Sequence, residues 1–475
     1  MSDERERDAR EAQDASRGSA IKLAAEAASR LLGLGTTLLL IRGLGALEFG
    51  AFGRLSVMAL LLAEFAELGL QTLASRALVA GSLSLRALVR ARLGLAGLVC
   101  GLALASLPLA PVLSPLVLWF ALSGWGEFLG VALRCRGERL AEALVLLCLR
   151  ASGLVAAALA LASGAGLGDL AWALVLSTPP ALLLGAVLLR RAPVAVAGAD
   201  APALVVTRQA LPLAIHGGLL LLSPRVEFLV LSLLRGDLET GLFLAALRVY
   251  EFLNVVPAAV SAGAMPGLTR EALRGKGPVR SRTAWTLAFL AAPAAVGLAL
   301  VAPALARLLL GPGYEPAAYA GTQAPLRLLA LALPALFMNG LLLSTLVAAG
   351  RAAWLPRLTA VRVLVALALA VPLVKAAGGL GAATGIGLAE WLLLLLAARA
   401  CASASFEVAL VRPLAWGLVA TLPMALAVFS VRDDLRLAVP LGLLVQLATV
   451  TLAGKIATGR EPAGDLRYPW GLPRR

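Results

Sequence analysis

Long apolar stretches recur along the whole chain, about fourteen of them, each close to the roughly 20 residues a helix needs to cross the hydrocarbon core of a bilayer. Inside lipid a backbone must satisfy its own hydrogen bonds, and runs of this length do so as helices. The expectation is an all-α polytopic membrane protein with no separate soluble domain. Composition agrees: 60% of the 475 residues are hydrophobic, 15% are charged and the mean hydropathy is +0.90, outside the range of soluble domains.

The expected spans cover 20–41, 50–71, 93–113, 115–133, 143–164, 168–189, 209–234, 238–262, 284–309, 324–348, 354–376, 379–399, 411–431 and 434–454. Arginines crowd alternate connectors. Those on the side of the N-terminal tail hold Arg76, Arg86, Arg90 and Arg92, then Arg134, Arg136 and Arg139, then Arg190, Arg191 and Arg208. The same side continues with Arg270, Arg274, Lys276, Arg280 and Arg282, and ends on a tail with Lys455, Arg460 and Arg475. Opposite connectors carry scattered cations such as Arg42, Arg235 and Lys375. The positive-inside rule then puts both termini in the cytoplasm.

A formal charge of +15 spread over membrane-insertion connectors is no footprint for nucleic acid, which is not expected as a partner. The first twenty residues mix both charge signs and lack the order of a cleaved signal peptide. Cys100, Cys135, Cys148 and Cys401 lie far apart and His216 is the single histidine, so no metal site is expected. No phosphate loop, catalytic carboxylate pair or serine-histidine arrangement stands out, and the expectation is a transporter without cofactor or covalent chemistry.

The two halves repeat. Arg42-Gly43 followed by Glu48-Phe49-Gly50-Ala51-Phe52 joins spans one and two; Arg235-Gly236 followed by Glu239-Thr240-Gly241-Leu242-Phe243 joins spans seven and eight. Six spans separate them, an even number, so the halves read as parallel repeats related by an axis along the membrane normal.

These residues resemble the polysaccharide-biosynthesis flippases, which move lipid-linked oligosaccharides such as O-antigen units and belong with multidrug antiporters and the lipid II flippase. Leu44-Gly45-Ala46-Leu47-Glu48-Phe49-Gly50 is similar to that family's first junction, with Ala46 where proline is usual. Ala66-Glu67-Leu68-Gly69-Leu70 matches its end of span two, with glutamate for aspartate. The stretch from Glu239 through Pro257 to Met265-Pro266, Leu310-Gly311-Pro312-Gly313-Tyr314, Ala348-Ala349-Gly350-Arg351 and Gly379 to Glu390 extend the likeness over roughly residues 20 to 400. The resemblance implies two six-helix lobes forming a V around a central cavity, with two further helices. The expected domains are a cytoplasmic tail at 1–19, an N-terminal lobe at 20–208, a C-terminal lobe at 209–405, and helices thirteen and fourteen with a tail at 406–475.

A charge at a span centre costs about 2.5 to 3.5 kcal/mol on insertion scales, so such residues face a cavity or a partner. Span one carries Lys22, Glu26, Arg30, Gly33 and Thr37 on one helical face. Arg30 either meets an anionic headgroup or pairs internally with Glu26. Span seven sets Arg225 between Pro224 and Glu227, which implies a bent helix with a charge near its middle. Arg225 is the first choice for substrate contact. Span eight lines up Arg248, Glu251, Asn254 and Ser261, interrupted by Pro257, where Arg248 and Glu251 also have the spacing to neutralise each other.

Glu64 and Glu67 near the end of span two, Glu127 in span four, and Glu251 are the candidates for ion coupling, because a carboxylate in a low-dielectric site exchanges protons near neutral pH. Arg30, Arg225, Arg248 and Asn254 are the expected substrate contacts, arginine suiting a lipid pyrophosphate through its bidentate fork. The expected activity is alternating-access translocation of a polyprenyl-pyrophosphate oligosaccharide across the bacterial cytoplasmic membrane. Membrane lipids and the polysaccharide polymerase machinery are its other expected partners. The alternatives are a multidrug or ion antiporter of the same superfamily, a lipid II flippase and, less favoured because the outer connectors are short, a membrane polymerase or ligase.

Overall fold

The computed structural model describes residues 2–192, 198–274, 277–312, 314–403 and 410–459; side chains are described from 28 onward except at 30, 216, 403, 450 and 452–459. Among these residues the only regular structure is helical. The chain divides into two compact units, Met1–Leu222 and Ser223–Arg475, each considered by itself.

The first unit contains α1 (Ser2–Glu67), α2 (Leu70–Ala80), α3 (Leu85–Ala105), α4 (Leu113–Cys135), α5 (Arg139–Ala162), α6 (Leu167–Leu176), α7 (Pro179–Arg191) and α8 (Ala203–Leu222). The second opens on a 3-10 turn, Ser223–Arg225, followed by α9 (Val226–Leu234), α10 (Asp237–Leu253), α11 (Val255–Arg274) and α12 (Val279–Leu310). It continues with α13 (Pro316–Ala348), α14 (Trp354–Ser403), α15 (Val411–Val431) and α16 (Leu435–Gly459).

Eleven helical segments among the described residues are long and apolar enough to cross a membrane. Fewer segments than the expected fourteen arise because neighbouring spans run together: Leu31–Ala80 holds spans one and two, and Trp354–Ala402 holds spans eleven and twelve. Each double run is interrupted by a glycine whose backbone leaves the helical region, Gly45 (φ 75, ψ 168) and Gly378 (φ 55, ψ −127). Leu435–Thr449 is a shorter apolar helix.

Gly45 also corrects the register of the repeat. Gly236 at the second junction has φ 79 and ψ 176, nearly the conformation of Gly45, a region that is essentially closed to residues with a Cβ. The equivalent glycines are therefore Gly45 and Gly236, not Gly43 and Gly236. In this register the glutamate follows three residues later in both halves, at Glu48 and Glu239, and a phenylalanine four beyond that, at Phe52 and Phe243. Phe49, Phe52 and Phe243 are all buried.

Proline sets other breaks. Span six is split into α6 and α7 just before Pro179-Pro180, and span eight breaks at Asn254, three residues ahead of the buried Pro257, which has no N–H to offer the preceding turn. In span seven the 3-10 turn falls on Ser223-Pro224-Arg225 itself.

Small residues let backbones approach. A Cβ at Gly417 of α15 would lie 2.8 Å from the Ala288 carbonyl oxygen of α12, and α12, α13 and α14 pack in sequence through runs of buried alanine such as Ala288, Ala291, Ala292 and Ala330. In the first unit α1, α4 and α5 pack together, while Leu70, Leu88, Phe128, Val131 and Val206 join α2, α3, α4 and α8. Leucines and aromatics such as Leu102, Leu159, Leu426 and Phe429 point outward, as helices bathed in lipid tails require.

The connector expected at 72–92 is mostly helix. α3 starts at Leu85, capped by the Ser84 hydroxyl accepting from the Ala87 N–H at 3.1 Å. Arg92 thereby lies two turns inside α3 and only 2% exposed, not in a solvated connector. The connector expected at 264–283 is likewise taken up by the ends of α11 and α12.

Candidate functional site

Charged side chains lie within apolar helices of both units. In the first unit the centre is Arg92. Its guanidinium carbon is 5.6 Å from the Trp125 ring centre and 5.0 Å from that of Phe128, so two aromatic faces of α4 hold the cation. Nε and Nη1 have no hydrogen-bond acceptor among the described residues. Glu67, Glu127 and Glu64 are the carboxylates that act on it electrostatically. Glu127 in turn accepts from Arg150 Nη2 of α5 at 3.5 Å. Glu64 faces α8, where a Cβ on Gly217 would stand 3.6 Å from its Oε1. The structure thus gathers three of the four ion-coupling candidates around an arginine that the charge pattern had assigned to a connector.

In the second unit Arg225 ends the 3-10 turn that interrupts span seven. On α10, Arg248 Nη1 donates to Glu251 Oε2 at 2.7 Å, with both side chains about one-third exposed, so the expected mutual pairing is present. Asn254 is exposed at the α10–α11 break, its N–H bonded to the Glu251 and Phe252 carbonyls. Ser261, one stripe further, is buried. Arg30, with Lys22 and Glu26, has its side chain outside the described residues.

A second set, missed in the sequence, is more deeply buried. Arg362 of α14, 5% exposed, donates from Nη2 to Glu390 Oε1 at 2.9 Å and from Nε to the same oxygen at 3.2 Å. Its Nη1 donates to the Ser223 hydroxyl at 2.7 Å and to the Ser223 carbonyl. The other Glu390 oxygen accepts from Asn339 Nδ2 of α13 at 2.8 Å. Beside them, Glu227 in the first turn of α9 is fully buried, and neither of its oxygens has a hydrogen-bond partner among the described residues. The buried Tyr250 hydroxyl likewise lacks one. Arg362 and Glu390 are single charges inside the apolar runs expected at 354–376 and 379–399, so the rule that singled out Arg225 applied to them as well.

The repeated junction motif has a structural task in this unit. Arg235 donates from Nε to the Val374 carbonyl at 3.1 Å and from Nη2 to that of Lys375 at 3.0 Å, while Glu239 accepts the Gly379 N–H at 2.8 Å. One side chain terminates the half-helix before Gly378 and the other starts the half-helix after it.

No protein-family model and no curated protein matches the chain. Solved structures do, and they show the fold. A lipid II flippase, MurJ, in an inward closed conformation superposes with a TM-score of 0.73 at 13% identity, covering 92% of this chain and 99% of that one. An inward-facing multidrug resistance MATE family transporter of the MOP superfamily gives 0.63 at 17% identity over 80% of this chain and 96% of that one. A MOP superfamily transporter from Pyrococcus furiosus, described as having a binding pocket of reversed polarity that suggests a different function, gives 0.54 at 16% identity over 85% and 94%. The chain has a MurJ- and MATE-like membrane fold.

Proposed function

We propose that the protein is a flippase that carries a lipid-linked, polyprenyl-pyrophosphate oligosaccharide across the bacterial cytoplasmic membrane by alternating access, in surface polysaccharide synthesis. The observation that carries this reading is Arg225, a permanent cation placed in the broken turn of a 32-residue apolar segment, Ala203–Leu234, on a fold similar to that of a lipid II flippase. A helix interrupted inside the bilayer exposes backbone and charge where a substrate headgroup can be met. Arg225 and Arg248 supply bidentate donors for phosphate, and Asn254 an amide for sugar or phosphate oxygens. Arg30 is assigned to the same task in span one from its place in the sequence. Glu64, Glu67 and Glu127 around Arg92, together with Glu251, are the coupling candidates. Both termini are assigned to the cytoplasm, with the arginine-rich connectors.

A multidrug antiporter is the second reading. It is favoured by the three carboxylates gathered in the first unit and by the MATE-like fold, since acidic groups suit cationic drugs. Deleting the gene decides between them. A flippase leaves its lipid-linked saccharide accumulating on the inner leaflet with drug sensitivity unchanged; greater sensitivity to several cationic drugs with normal surface polysaccharide establishes the antiporter. Rescue of lipid II flippase depletion by this gene would assign lipid II instead.

A further inference from the structure

The buried centre of the second unit brings two carboxylates, Glu227 and Glu390, under the influence of the buried Arg362 guanidinium. Arg362 donates to Glu390 and Ser223, and Glu227 receives no hydrogen bond from it. On the elements packed against α9, the other charged or titratable groups near this centre are Tyr250 and Glu251 of α10 and Arg225 of the preceding turn. Glu251 is itself bonded to Arg248, and the Arg235–Glu239 clasp lies at the far end of α9. Glu227 is enclosed tightly: a Cβ on Gly385 would stand 3.3 Å from its Cγ. Fully out of water and with no side-chain donor on either oxygen, Glu227 stands where an uncompensated charge is costly.

We infer that Glu227 is an exchangeable proton site, and that its protonation decides whether Arg362 grips the Ser223–Arg225 turn. With the proton on Glu227, Arg362 bonds Glu390 and Ser223, as observed. When the O–H bond breaks and the proton passes to water, the Glu227 carboxylate competes for Arg362 Nη1, and the Nη1–H···O bond to Ser223 gives way to one with Glu227. Ser223 begins the turn on which Arg225 stands, so the proton and the proposed phosphate contact are mechanically linked. This consequence rests on the flippase reading; the proton site does not, because it is measured without substrate.

The test is infrared difference spectroscopy of the full chain in liposomes across a pH step. The wild type shows the carbonyl band of a protonated carboxylic acid, lost as pH rises. Glu227→Gln, which is isosteric with the protonated form, lacks the band, whereas the exposed Glu315→Gln keeps it. Glu390→Gln leaves one carboxylate facing Arg362; Glu227 then ionises and the band disappears although Glu227 is present. Absence of a titrating band in the wild type, or its survival in either Glu227→Gln or Glu390→Gln, overturns the proton site. Backbone hydrogen exchange of a peptide spanning 220–230, at one pH, tests the linkage. Exchange is severalfold faster in Glu390→Gln, where Arg362 moves to Glu227, than in Glu227→Gln, where it holds Ser223; equal exchange refutes the hand-over. A failed proton site with normal saccharide transport, or a proton site in a protein that moves drugs, separates this inference from the functional reading.

Discussion

Arg362→Ala should be among the most damaging single substitutions in the second unit. Among the described residues it removes the only side chain bonded to both Glu390 and Ser223 and leaves the Glu390 carboxylate with the Asn339 amide. Breaking a buried ion pair by deleting one partner costs about 3 to 5 kcal/mol. A loss of about 3 to 5 kcal/mol is therefore expected. Thermal unfolding of detergent-purified protein, followed by monodispersity, measures this. Arg362→Ala combined with Glu390→Ala should recover part of the loss, because no uncompensated charge is then left buried at Glu390. Wild-type stability for Arg362→Ala, or no recovery in the double variant, refutes the reasoning.

Arg225→Ala should remove a charge-assisted contact worth about 1.5 to 3 kcal/mol, a loss of roughly 10- to 150-fold in substrate affinity, with Arg225→Lys retaining part of transport at normal membrane levels. Recovery of both level and transport by Arg225→Ala with Glu227→Ala would mean that the pair serves only structure. Gly236→Ala should destabilise by about 1 to 3 kcal/mol through the backbone alone, because a Cβ there meets no atom within 4 Å, and Gly45→Ala should lose a similar amount because its backbone occupies the same region. Gly168→Ala, inside α6 with equally open space and no positive φ, is the control and should not destabilise in the same thermal assay. Asp200, exposed beside α3, is held below the usual carboxylate range by the hydrogen bond from Arg90. With its folded value depressed, the tie is present at neutral pH and is lost as pH falls through that value. Limited proteolysis near Ala199 should therefore speed up on acidification or in high salt, and Asp200→Asn should abolish that pH response.

The α-helical membrane architecture was legible in the chain because hydrophobic run length in lipid leaves little choice: backbone groups without water must bond within the run. The span-seven break was legible for the same local reason, proline beside a charge, and so was the Arg248–Glu251 pairing, which depends on a spacing of three along one helix. The repeat was visible, but its register was set by backbone conformation; Gly43 and Gly45 are both glycines, and only φ and ψ distinguish the one equivalent to Gly236.

What required the tertiary structure is contact across helices. Arg92 read as one more cation of a basic connector until α3 proved to start earlier and to bury it between Trp125 and Phe128. Arg362 and Glu390 are separated by 28 residues and Arg362 and Ser223 by 139, distances along the chain over which periodicity carries no information. The sequence by itself determined which segments enter the bilayer, since transfer from water to lipid is a property of composition and length. Which buried charges meet, and which one is left over at Glu227, was decided only by packing, because partners are chosen by proximity in space.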